Sequence, residues 1–218
     1  GTLGWPVQEG TSGNDEVADT YVDDSQNTIL VVGHTTGAWP SYTNSGGYDI
    51  FLAKFDITGG LEWVVQRGST GNDYASSLTV DHGHILVCGW TEGSPDGRTN
   101  QGGEDSFVMI FDSSGTFVET VMPSPGNTAQ NDRCITVFAG TTDPLYVTMW
   151  GTTTGTLQFA SSNGGTDVMM MSVNGREDPE AWLTNSQSGT GGLRVAALAS
   201  DWPCRKTFQC CWVVKTML

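Results

Sequence analysis

Asp and Asn recur at fixed places beside glycine-rich turns, and they are the side chains best placed to do chemistry. Asn14-Asp15 and Asn72-Asp73 close Gly-rich turns, and Asn131-Asp132 holds the corresponding place further on. Asp49, Asp105 and Asp167 each end a Gly-Gly-x-Asp group. Carboxylate and carboxamide oxygens in such turns can accept hydrogen bonds from turn N–H groups and hold backbone that would otherwise be costly to order. They could also ligate calcium, which takes six to eight oxygens, carbonyls included. A dense Asp-x-Asp-x-Asp-Gly loop is missing, and the repetition favours the turn role, because catalytic sites are usually single. Calcium stands as the alternative, and no other cofactor is expected.

A second group lies in long segments between these markers: Trp39, Pro40, Tyr42 and Asn44, then Asp96, Arg98 and Asn100, then Leu157, Phe159 and Asn163. Long loops on a rigid frame commonly carry binding function. Trp and Tyr beside Asn and Asp suit stacking on a sugar ring or docking a partner protein, which makes Trp39, Tyr42, Asn44, Asp96, Arg98, Asn100, Phe159 and Asn163 the ligand-binding candidates. The competing assignment folds Trp39 and Phe159 down as local core. No catalytic residue is nominated. The chain has no Gly-x-Ser-x-Gly elbow, phosphate-binding Lys loop or His-Glu-x-x-His pair. Asp81, His82 and His84 occur once, without metal-ligand spacing. Cys88 and Cys134 stand alone in apolar runs and read as small buried residues. Cys204, Cys210 and Cys211 cluster near the C-terminus, without Cys-x-x-Cys spacing for zinc.

The elements that carry these residues follow from internal repetition. Residues 5–23 align with 63–81 at an offset of 58, matching Trp5 to Trp63, Gln8 to Gln66 and Asp15 to Asp73. At an offset of 56, Gly33-His34-Thr35-Thr36-Gly37 matches Gly89-Trp90-Thr91-Glu92-Gly93, and Phe55-Asp56 matches Phe111-Asp112. A looser third copy keeps Asn131-Asp132, Gly151 to Gly155 and Gly164 to Asp167. Within a unit, period-2 alternation predicts four strands, at 16–22, 29–35, 50–56 and 61–66 in the first copy. Phe51, Ala53 and Phe55 share one face with their counterparts Phe107, Met109 and Phe111, and that face is core. The repeated Trp5, Trp63 and Trp182 read as packing residues of an outer strand.

Such sheets expose two apolar faces and bury them only between neighbours, as the blades of an all-β propeller do. The expected division is an outer strand at 1–9, blades at 10–67, 68–125 and 126–186, and a divergent partial blade at 187–218. That makes about three and a half four-stranded antiparallel blades, read as a fragment of a larger ring. Alternate connections of a meander lie on one side, so the turns at Asp15, Asp73 and Asp132 share a face with the long loops. The pairs expected to approach are Asp15 with Asp49, Asp73 with Asp105, and Asp132 with Asp167.

Composition agrees. The 218 residues are 37% hydrophobic with 29 glycines, which suits short strands and tight turns. A formal charge of −15 argues against nucleic acid, whose phosphates such a surface repels. The acid is uneven, with −18 over residues 1–180 and +3 over 181–218. No apolar run is long enough for a membrane span.

The ordered series Trp-x-x-Gln-x-Gly-x-x-Gly-Asn-Asp, Val-Asp, Gly-x-Thr-x-Gly, Gly-Gly-x-Asp-x-Phe and Phe-Asp-x-x-Gly resembles the bacterial β-propeller repeat (SBBP repeat) family over about residues 4–175. The resemblance implies a propeller in secreted or cell-surface proteins, in longer chains, with no catalytic residues in the repeat. The expected function is non-catalytic binding or adhesion to a protein or glycan through the long loops. The alternatives are a carbohydrate-active hydrolase or lyase using clustered Asp residues, and a purely structural spacer.

Overall fold

The computed structural model describes residues 6–122, 128–139, 146–157, 162, 164–174 and 194–198. They form twelve strands and one 3₁₀ turn, Pro95–Gly97. The first sheet comprises β1 (Asp15–Asp23), β2 (Thr28–Thr35), β3 (Asp49–Asp56) and β4 (Leu61–Arg67). The second comprises β5 (Asp73–Asp81), β6 (His84–Thr91), β7 (Asp105–Asp112) and β8 (Phe117–Val121). The third comprises β9 (Asp132–Ala139), β10 (Tyr146–Thr153), β11 (Asp167–Asn174) and β12 (Arg194–Leu198). Each is an antiparallel meander whose strands pair in chain order.

The repeat reading assigns residues 187–218 to a fourth unit. The structure instead pairs Arg194–Leu198 with β11, Val168 opposite Leu198 and Ser172 opposite Arg194, as the fourth strand of the third sheet. The third meander needs an outer strand, and this is the described segment that supplies it. Trp182, expected in that role, lies outside the described residues.

Alternation along the middle sheet explains why three sheets pack together. Ile85, Val87, Phe107, Met109 and Phe111 point one way and join Leu30, Val32, Ile50 and Leu52 of the first sheet. Leu86, Cys88, Val108 and Ile110 point the other way and join Cys134, Val137, Val147, Met149, Met169 and Met171 of the third. A sheet buried on both faces loses nearly all its apolar surface to contact, and full burial of each such side chain is worth about 2 kcal/mol. The first strand of each later sheet makes the seam: β5 packs on β1, β2 and β3, and β9 on β5, β6 and β7.

Cys88 and Cys134, read from sequence as separate buried residues, form a disulfide across the second seam, with their Cα atoms 6.0 Å apart. The correction has a simple cause, since both side chains point into the one cluster shared by β6 and β9. Among the described residues no helix is long and apolar enough to cross a membrane.

Candidate functional site

The Gly-rich turns, the first residues of the first and third strands of each sheet and the last residues of the second strands lie together at one end of the sheets, and their polar groups form a repeated network. Asp15 accepts hydrogen bonds from Thr11 N and Oγ1, Asp73 from Ser69 N and Oγ, and Asp132 from Thr128 N. Asp49 and Asp105 do the same one strand pair later, from Ser45 N and Gln101 N. Asp167 accepts from Ser162 Oγ at 3.2 Å. Each donor lies four or five residues upstream, so the carboxylates serve as clamps on their own turns. The Thr of Gly-x-Thr-x-Gly completes the frame: Thr35, Thr91 and Thr153 are buried, and their Oγ1 atoms accept from Gly37, Gly93 and Gly155 N.

Asn joins one sheet to the next. Asn72 Oδ1 accepts from Tyr48 N at 3.1 Å, while Tyr48 O accepts from Asp73 N at 2.7 Å. The second seam repeats the pair, with Asn131 Oδ1 accepting from Glu104 N at 3.2 Å and Glu104 O accepting from Asp132 N at 2.6 Å. Asn14 binds within its sheet, exchanging bonds with Thr36. A Cβ on Gly47 would lie 2.0 Å from Asn72 Oδ1 and one on Gly103 2.5 Å from Asn131 Oδ1, which is why glycine holds this place at both seams.

The expected Asp pairs are therefore redrawn. Asp15 and Asp49 stand on opposite sides of Thr35 in one sheet, and the carboxylate next to Asp49 across the seam is Asp73. Asp105 likewise faces Asp132. Alternation in a strand specifies a side of the sheet, but the neighbouring sheet decides which residue is closest. All four side chains are buried, and burial raises the pKa of Asp49 and of Asp73, the latter with a further push from the Asp49 charge. Burial, helped by the Asp132 charge, pushes Asp105 up to about 6.

Among the described residues nothing donates a hydrogen bond to Oδ1 of Asp49, Asp105 or Asp132. Among the described residues, however, no three or more His, Cys, Asp or Glu side chains are grouped to hold a metal. Because the turns are closed by their own donors, the melting temperature in EDTA should match that in millimolar calcium to within about a degree; a rise of several degrees with calcium would assign the unpartnered oxygens to an ion.

The loop candidates divide. Trp39 is 4% exposed and packs on Phe51, with ring centroids 5.6 Å apart, so it is core and not a ligand platform. Gln66, the Gln of the Trp-x-x-Gln motif, is the cause: its Oε1 accepts from Trp39 N, and its Nε2 donates to Gly37 O and Asp49 Oδ2. Asn44 and Asn100 pin their own loops, accepting from Gly46 N and Gly102 N and donating to nearby carbonyls. Asp96 pairs with Arg67 and accepts from Thr120 Oγ1, while Arg98 pairs with Glu119. Tyr42 stays exposed and lines a cleft of ≈ 440 Å³ with Trp63, Arg67, Gly115 and Phe117, the Arg67 guanidinium lying 3.4 Å from the Phe117 ring centroid. Leu157 is buried, and Phe159 and Asn163 lie outside the described residues.

A row of rings that the sequence did not single out crosses the same face. His34 meets Tyr48 and Tyr74 edge-on at 5.2 and 5.1 Å, Tyr48 and Tyr74 are 5.2 Å apart, and Tyr74 stacks on Trp90 at 5.4 Å. All four are partly exposed. Glu16 accepts from Tyr48 Oη at 3.2 Å and lies 3.6 Å from His34 Nε2; Glu92 accepts from Asn72. Burial holds the His34 imidazole below the usual histidine range, against the opposing pull of Glu16. The repeat does not mark these residues because they do not recur in kind: His34 aligns with Trp90 and Thr152. Their position beside recurring Asp residues was the available signal.

The described chain is thus a tandem of four-stranded antiparallel sheets with a shared polar face. No family model matches the chain, and no curated protein is significantly similar to it.

Proposed function

We propose that the chain is a non-catalytic propeller-type repeat module, extracellular or at the cell surface, that binds a protein or glycan ligand on the face carrying the long loops. The row from His34 through Tyr48 and Tyr74 to Trp90 carries this reading: non-repeating rings, partly exposed, set at repeating positions on a rigid frame. Rigid aromatic side chains give large contact area at low entropic cost. The resemblance to the SBBP repeat agrees with this reading, and a disulfide suits an oxidising compartment.

The propeller arrangement has its own support. Phe51 and Ala53 lie on the face by which the second and third sheets receive their predecessors, and among the described residues that face of the first sheet carries only Trp39 over partly buried Val31, Phe55 and Val64. A preceding blade of a larger ring would complete it. The hydrolase alternative is less well supported, because Asp49, Asp73, Asp105 and Asp132 are enclosed and engaged with turn N–H groups, out of reach of a polymer. A structural spacer would bind nothing on this face.

The test is an array of glycans and peptides probed with the chain and with a Tyr48→Ala/Tyr74→Ala variant. Binding should be lost in the variant while it still unfolds cooperatively, with a melting temperature lowered by several degrees for the lost ring contacts. Polysaccharide cleavage abolished by Asp49→Asn in a folded protein would bring the hydrolase forward.

A further inference from the structure

The seams of this fold place three residues together at equivalent positions: the residue before the buried Thr of the second strand, the residue before the Asp of the third, and the residue after the Asp that opens the next sheet. At the second seam these are Trp90, Glu104 and Arg133. The Arg133 guanidinium carbon lies 5.1 Å from the Trp90 ring centroid, and Nη2 donates to Glu104 Oε1 at 2.6 Å while Nε binds the other oxygen. The chain fills this site with its own cation, on an aromatic face and gripped by a carboxylate.

At the first seam the same positions hold His34, Tyr48 and Tyr74, three rings in mutual contact; among the described residues the cations seated on rings are Arg67 on Phe117 and Arg133 on Trp90, and neither sits on these three. Glu16, whose side chain is 60% exposed, stands at their edge. Arg133, seated on Trp90 at the end of the row, is committed to Glu104, and His34 is held toward its neutral form. Aromatic faces attract cations through the ring quadrupole, and the charge of −15 favours a basic partner over a neutral or anionic sugar.

We infer that the first seam is a receptor for an arginine or lysine side chain from a basic segment of a partner protein, seated on Tyr48 and Tyr74 beside His34 and paired with Glu16, as Arg133 is seated on Trp90 and paired with Glu104. The inference rests on the proposal that this face binds a ligand, and it names the chemistry of that ligand.

The probe is a short peptide bearing two arginines, titrated into the whole chain at near-physiological salt, beside a peptide with citrulline in their place. Citrulline keeps the shape and loses the charge. The arginine peptide should bind at least about tenfold more tightly, and Glu16→Gln and Tyr74→Leu should each weaken it by a similar factor. Asp24→Asn removes one charge in the turn beyond the far end of β1 and should change affinity by less than about twofold, since solvent-exposed charges that far apart are screened. If Tyr74→Leu fails to fold, the exposed Glu16→Gln carries the test. Equal binding of the two peptides, or an effect of Asp24→Asn as large as that of Glu16→Gln, would overturn the inference. A glycan that binds and is lost on Tyr74→Leu, with no response to the arginine peptide, would overturn it while leaving the binding module intact. No ligand of any class on this face would remove both.

Discussion

Replacing Cys88 and Cys134 together by Ala is expected to lower unfolding free energy by about 4 kcal/mol, the chain-entropy value for a closed loop of this length. The bond joins residues 46 apart in sequence and ties the second sheet to the third. Without it the unfolded chain gains the freedom to separate these strands, while the folded state loses a contact inside a cluster that includes Leu86, Val108, Met149 and Met169. Denaturant titration should show a lower midpoint, and peptide mapping of the unreduced protein should recover the Cys88–Cys134 link. Both sulfurs are in fully buried residues, so a reductant should act at the rate of unfolding and leave the native protein untouched over short exposures. A double variant within about 1 kcal/mol of the parent would mean that the seam is held by apolar packing alone.

The strands were legible because period-2 alternation reports directly on a sheet with two buried faces. The expected third strand, 50–56, differs from Asp49–Asp56 by one residue, and the fourth, 61–66, from Leu61–Arg67 likewise. What lay between sheets was less legible, since a repeat records what each unit does and not which residues of adjacent units touch. Asp49 faces Asp73 across the seam for this reason, and Trp39 turns inward because Gln66, a strand residue 27 positions later, holds its N–H. The disulfide could have been found through the repeat. Cys88 takes the place of Val32 and Cys134 that of Ala75, two residues that share the core at the first seam. An apolar contact in one copy has become a covalent one in the next. The ring row carries the opposite signal, positions where the frame repeats and the side chain does not.

Gly89→Ala should be about as damaging, at or above the ~3 kcal/mol upper end of ordinary overpacking, and it tests the seam from the backbone side. A Cβ at Gly89 would lie 1.8 Å from Tyr74 O and 2.9 Å from Phe107 Cζ. Gly33 and Gly151 meet the same obstruction, with Glu16 O at 2.0 Å and Arg133 O at 1.8 Å. In each unit this glycine lies beside the bulge where the register slips, between Val17 and Asp19 in β1, between Ala75 and Ser77 in β5, and at Gly151 of β10 against β9. A bulge brings the first strand's carbonyl toward the second strand, and only a residue without a Cβ leaves room for it. The obstruction is backbone, which cannot rotate away, so relief would require opening the β5–β6 ladder beside the disulfide and shifting Tyr74, the ring at the centre of the proposed binding row. Gly83→Ala provides the contrast, because Gly83 has open space around its Cβ position and a φ of +78°, and its cost should be the ~1 kcal/mol of a left-handed residue. Equal losses for the two variants would place the cost of Gly89→Ala in conformation; a much larger loss at Gly89, with ligand binding weakened in whatever fraction still folds, would tie the glycine of Gly-x-Thr-x-Gly to the geometry of the face itself.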